Sequence, residues 1–197
     1  MLSNIADMNG DVAIIGCGLV GRAWAIVFAR AGRRVRLHDG NVDVIAAAPE
    51  RIAEGLADLQ RYGLIEDPAA VLARIVTEAD LGSALDGAVY AQESVFERVD
   101  AKREIFAAID RVVGPETLIG SSSSGIPSSA FTADVACRAR CLIAHPVNPP
   151  HVIPVVELVP GLWDSGGHAK PGWSAYTRAM VPISRRPIRD DLGTRTV

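Results

Sequence analysis

Little in this chain marks a disulfide scaffold, a nucleic-acid binder or a membrane span. Its 197 residues include three cysteines, Cys17, Cys137 and Cys141, with no framework spacing. That usage fits a reduced cytosolic protein better than a stapled one. Basic charge is not in excess: the formal net charge is -3, which argues against nucleic acid or an anionic membrane as partner, since both call for a basic face. No apolar stretch approaches the roughly 18 residues that a spanning helix needs. The N-terminal MLSNIADMNGD carries acids in place of a basic-then-apolar signal pattern. No internal repeat is present. The expectation is a soluble, cytoplasmic protein with neither nucleic-acid nor membrane partners. What the chain does have is apolar material, 49% hydrophobic against 22% charged. That is a globular composition sufficient for one domain, or one and a fraction, at about 100–200 residues per domain.

Short apolar runs alternate with helical patterns. Val12–Ile15, Val35–His38, Ile75–Val76, Ala88–Gln92, Leu118–Gly120 and Cys141–Ala144 read as strands. Residues 19–31, with Val20, Ala23, Trp24, Val27 and Phe28 at spacings of three and four, read as a helix stopped by Gly32. Residues 42–62 and 99–113 read the same way, and a short helix is expected near Pro127. This alternation predicts an α/β fold, a doubly wound and mostly parallel sheet covered on both faces. Residues 1–160 form the expected domain. Residues 161–197, rich in glycine, proline and arginine, read as an irregular tail whose only helical stretch lies around Trp173–Met180.

The segment IIGCGLVGRA sets Gly16, Gly18 and Gly21 in GxGxxG spacing between a strand and a helix. Such a triplet alone is weak, and the flanking elements are what give it meaning. Gly16 permits the tight turn, Gly18 lets the backbone approach a pyrophosphate, and Gly21 lets helix and strand pack closely. The phosphates would meet the free N–H groups at the helix N-terminus. Asp39 ends the second strand about 20 residues beyond the loop, where an acid bonds the adenosine ribose hydroxyls and repels a 2′-phosphate. NAD is therefore the expected cofactor, although Arg33, Arg34 and Arg36 nearby are of the type that accepts such a phosphate. The alternative is a structural turn with Asp39 as a strand-end cap.

In CLIAHPVNPPHVIPVVELVP, His145 ends one apolar run and Glu157 sits inside the next, with a proline turn between them. A carboxylate bonded to one imidazole nitrogen fixes the tautomer and raises the basicity of the other, which suits removal of a proton from an alcohol. It also explains a charge among valines, since a buried charge needs a partner. The alternative is a structural histidine and a glutamate on the wet face of an edge strand. A metal at His145 and His151 is not expected, because no Cys or Asp completes a ligand set.

These segments, with QESVFERVDAKREIF and SSSSG, resemble the 3-hydroxyacyl-CoA dehydrogenase superfamily over residues 11–160. Within it the chain is most similar to the lambda-crystallin or L-gulonate 3-dehydrogenase branch. The resemblance implies a Rossmann-like NAD-binding domain with His145 as base, Glu157 as the acid that orients it, and Asn148 helping to hold the reacting oxygen. Ser124 would hydrogen-bond the substrate's hydroxyl or keto oxygen. Glu97 and Lys102 would line the cofactor site, with Glu93 a neighbour. Acyl-CoA members usually carry paired phenylalanines where this chain has Pro146–Val147, so the resemblance points to a small hydroxy acid oxidised at its 3-hydroxyl. Two other readings stand beside it: a non-catalytic or crystallin-like NAD-binding protein, and an acyl-CoA dehydrogenase of fatty-acid oxidation. Relatives continue into an all-helical domain that closes the cleft and forms a homodimer. The tail does not match those helices, so a truncated or frame-disrupted homologue is expected, in which dimerisation is doubtful.

Overall fold

A computed structural model of the chain describes residues 10–163. Nearly all of the expected tail, including the stretch around Trp173–Met180, lies outside the described residues. Strands β1 (Asp11–Ile15), β2 (Val35–His38), β3 (Ile75–Thr77), β4 (Ala88–Glu93), β5 (Leu118–Ser121), β6 (Cys141–Pro146) and β7 (Val156–Pro160) form one sheet. Their order is β3-β2-β1-β4-β5-β6-β7. Every neighbouring pair is parallel except β6 and β7, which run antiparallel. The chain winds outward from β1 to β3, then crosses back to β4 on the other side of β1. The resulting switch point between β1 and β4 opens a crevice at the carboxyl ends of the strands, where ligands bind in sheets of this kind.

β1 shows why the sheet is covered on both faces. Val12 and Ile14 pack into one core with Trp24, Phe28, Ile52 and Leu56 of helices α1 (Leu19–Arg30) and α2 (Val42–Arg61). Ala13 and Ile15 point the other way, into a core with Phe106 of α5 (Val99–Asp110), Phe131 of the short α6 (Ser129–Thr132) and Ile119. Continuous apolar runs, not alternating ones, are what doubly covered parallel strands require. Ring contacts tie each layer: Trp24 stacks on Phe28 at 5.5 Å, and Phe106 meets Phe131 at 4.8 Å. Each such fully buried side chain contributes about 1.5–3 kcal/mol.

The three long helices end at Arg30, Arg61 and Asp110, slightly short of expectation. Two five-residue helices, α3 (Pro68–Leu72) and α4 (Leu81–Leu85), were not expected. Each starts at an aspartate whose carboxylate accepts a backbone N–H, Asp67 from Ala70 and Asp80 from Ser83. No helix among the described residues is long and apolar enough to cross a membrane.

Candidate active site

The glycine loop meets three different demands. Gly16 adopts φ +100, and a Cβ there would lie 2.7 Å from the backbone of Ser94. A Cβ on Gly21 would lie 1.8 Å from the Gly16 carbonyl oxygen, so the first turn of α1 packs too tightly on the loop for any side chain. Gly18 has nothing within 4 Å of the Cβ position and is exposed. The fold itself does not require that glycine, whereas a diphosphate lying on the backbone would. Gly18 is also the N-cap of α1 and gives it no side-chain cap, which leaves the first N–H groups free. Asp39 completes this end: its two carboxylate oxygens accept the Cys17 N–H at 2.7 Å and the Asn41 N–H at 2.9 Å. A carboxylate can accept about four hydrogen bonds, so each oxygen keeps capacity for a ribose hydroxyl. Gly16, Gly18, Asp39, Asn41 and Phe96 are among the walls of a cleft of about 480 Å³. Cys17 is inert here, its thiol pushed up to about 12 by burial and by the Asp39 charge.

A second cleft of about 200 Å³ adjoins the first, sharing Val20, Ser94 and Val95. It is lined by Glu97, Ser122, Ser124, His145 and Asn148 as well. The structure thus brings together four residues named from sequence, His145, Ser124, Asn148 and Glu97, at the ends of β4, β5 and β6. Glu157 reaches His145 from outside the cleft. The two are Cα partners across β6 and β7, and His145 Nδ1 lies 3.0 Å from Glu157 Oε2. Of the two readings of Glu157, the wet face of an edge strand is the one observed: its side chain is 69% exposed, so the buried placement among valines is corrected. β7 is an edge strand, and Val159 within it and Val155 just before it are also exposed, so the neighbouring apolar residues do not enclose the acid.

Lys102 needs correction too. It lines neither cleft and is only 1% exposed. Its ammonium bonds both oxygens of Glu93 at 3.0 Å and lies 3.3 Å from Glu97 Oε2. Glu93, wholly buried, also accepts the Val95 N–H at 2.7 Å and the Ser121 hydroxyl. Glu97 Oε1 accepts the Ser123 hydroxyl at 2.7 Å and the N–H groups of Ser124 and Gly125 at 2.9 and 3.0 Å. Burial works against the Glu97 charge, but the Gly125 and Ser123 hydrogen bonds, the Lys102 charge and the Ser124 N–H outweigh it. They hold the carboxyl below its ordinary value. The ion network therefore clamps the serine loop, and with it Ser124, against the start of α5. Sequence reasoning missed Gln92, Ser94 and Ser122, which knit the tips of β4 and β5. A glutamine inside an apolar strand was the one local signal for them. Among the described residues no cluster of His, Cys, Asp and Glu is placed to hold a metal ion.

Residues 11–168 match the family described as 3-hydroxyacyl-CoA dehydrogenase, NAD binding domain. The chain belongs to this family. It is 44% identical over 185 residues to the lambda-crystallin of Oryctolagus cuniculus, an alignment spanning 91% of this chain and 56% of that protein. It is 34% identical to the L-carnitine dehydrogenase of Streptomyces griseus, over 77% of this chain and 44% of that one. Among solved structures, 3-hydroxybutyryl-CoA dehydrogenase from Escherichia coli superposes with a TM-score of 0.79 at 28% identity, covering 88% of this chain and 37% of its own. The chain spans about half the length of the curated relatives it matches. NAD is the family's cofactor, and the open Gly18 cradle with Asp39 at the end of β2 fits it on observations of this chain alone.

Proposed function

We propose that this domain carries the cofactor site and acid–base pair of an NAD-dependent dehydrogenase that oxidises the 3-hydroxyl of a small hydroxy acid. The observation that supports it most is the 3.0 Å contact between Glu157 and Nδ1 of His145, a residue that lines the smaller cleft. A carboxylate on Nδ1 assigns that nitrogen the hydrogen and leaves Nε2 as the base. NAD supplies the hydride acceptor when bound. Gly16, Gly18 and the start of α1 would hold its diphosphate, and Asp39 its adenosine ribose. In the adjoining cleft Ser124 and Asn148 would position the substrate oxygen while His145 takes the hydroxyl proton. Glu157 stabilises the imidazolium that forms, without itself taking the proton.

Pro146 and Val147 follow the histidine where acyl-CoA enzymes usually carry two phenylalanines, which favours a compact polar substrate over a long acyl chain. The test is a substrate panel on this chain, with L-gulonate, L-carnitine, 3-hydroxybutyrate and 3-hydroxybutyryl-CoA each offered with NAD+. Formation of reduced cofactor with a small hydroxy acid supports the reading. Activity with the thioester alone would move the chain to the acyl-CoA class, and NAD+ binding without any turnover would favour a non-catalytic role.

A further inference from the structure

Resting on that dinucleotide reading, we propose that Ser94 donates its hydroxyl hydrogen to an acceptor oxygen on the nicotinamide half of the cofactor. The direction follows from counting donors and acceptors. Gln92, wholly buried, has its side-chain amide 3.3 Å from the Ala144 carbonyl, which only accepts. The amide nitrogen must therefore face Ala144, and the amide oxygen takes the Tyr90 hydroxyl. The same nitrogen donates to Ser122 Oγ at 2.8 Å. Trp24 Nε1, which can only donate, reaches Ser122 Oγ at 3.1 Å. With both lone pairs taken, Ser122 has only its hydrogen left to give. It passes this to Ser94 Oγ at 2.8 Å. Ser94 Oγ is thereby an acceptor within the protein, and its own hydrogen has no acceptor among the described residues.

That hydrogen sits where the two clefts meet, since Ser94 lines both. The Ser94 backbone is also what crowds Gly16, so its position is tied to the loop that would seat the diphosphate. A dinucleotide running from Asp39 over Gly18 towards His145 must pass this hydroxyl with its second half. The chain that runs from buried Tyr90 and Gln92 to Ser122 at the cleft wall makes the hydroxyl a committed donor, with the amphoteric choice of an isolated serine removed. It thus selects for an acceptor oxygen, such as an amide carbonyl or ribose oxygen, at that point.

Calorimetric titration of the full chain with NAD+ and with ADP-ribose, which lacks the nicotinamide, tests this. Losing one neutral hydrogen bond in Ser94→Ala should weaken NAD+ about three- to tenfold. ADP-ribose, held at the Asp39 end, should bind the variant as it binds the parent, which also certifies the fold. Unchanged NAD+ affinity, or equal weakening of both ligands, overturns the inference. Failure of the unsubstituted chain to bind NAD+ at all would instead overturn the cofactor reading beneath it.

Discussion

His145 and Glu157 face each other across the antiparallel β6–β7 pair, Nδ1 to Oε2 at 3.0 Å, while the glutamate keeps 69% of its side chain exposed. Exposed ion pairs contribute only about 0–1 kcal/mol to stability. The contact therefore matters more for holding the imidazole than for holding the fold. Glu157→Gln retains an acceptor and removes the charge that stabilises an imidazolium. On whichever substrate the panel identifies, kcat should fall about ten- to a hundredfold while the thermal midpoint barely moves. An equal loss of stability and turnover would make the pair structural.

Two glycines of the loop, Gly18 and Gly21, should separate binding from fold. Gly21→Ala places a methyl 1.8 Å from a backbone oxygen, so soluble yield and thermal midpoint should drop sharply. Gly18→Ala meets nothing within 4 Å and should fold like the parent, yet bind NAD+ about tenfold or more weakly, the cost of about 1.4 kcal/mol or more of lost fit. A Gly18→Ala variant that binds NAD+ normally would remove the diphosphate from that spot.

Lys102 is a test of burial. Lys102→Met would leave Glu93 fully buried without its counter-ion, a change that typically destabilises by about 3–5 kcal/mol. Chemical denaturation should show a loss on that scale. A loss below about 1 kcal/mol would mean that Glu93 finds another way to be satisfied.

Glu97 gives a pH dependence of defined sign. Its carboxyl is lowered from an ordinary 4.5, so between the two values the folded state binds fewer protons than the unfolded chain. The stabilisation is fully present above 4.5 and is lost as pH falls through the lower folded value. Thermal midpoints measured from neutral pH downward should fall more steeply below 4.5 for the parent chain than for Glu97→Gln. Parallel curves would show that the serine-loop clamp does not depend on that charge.

The long elements were legible in the sequence because each long helix repeats its apolar residues often enough to show a period. α3 and α4 were not, being five residues each, although Asp67–Pro68 was a start signal open to reading. The glycine loop, Asp39 and the His145–Glu157 pair were legible because each lies within a short local pattern. VVELVP leaves two readings of Glu157 open, buried among valines or on the wet face of an edge strand, and the sheet order decides for the edge. Lys102 is placed at the cofactor site by resemblance, and nothing local shows that it turns inward to Glu93, since a lysine near the start of a helix normally faces water. Ser94 and Ser122 lie 28 residues apart. They meet only because β4 and β5 pair with Glu93 opposite Ser121, which no local pattern announces.

The most direct measurement needs no substrate: titration of the chain with NAD+ and NADP+ side by side. With Asp39 holding the adenosine ribose, NAD+ should bind and NADP+ should bind at least about tenfold more weakly. No binding of either would contradict the dinucleotide site on which the proposed chemistry depends, and equal affinity for the two would contradict the place of Asp39 in it.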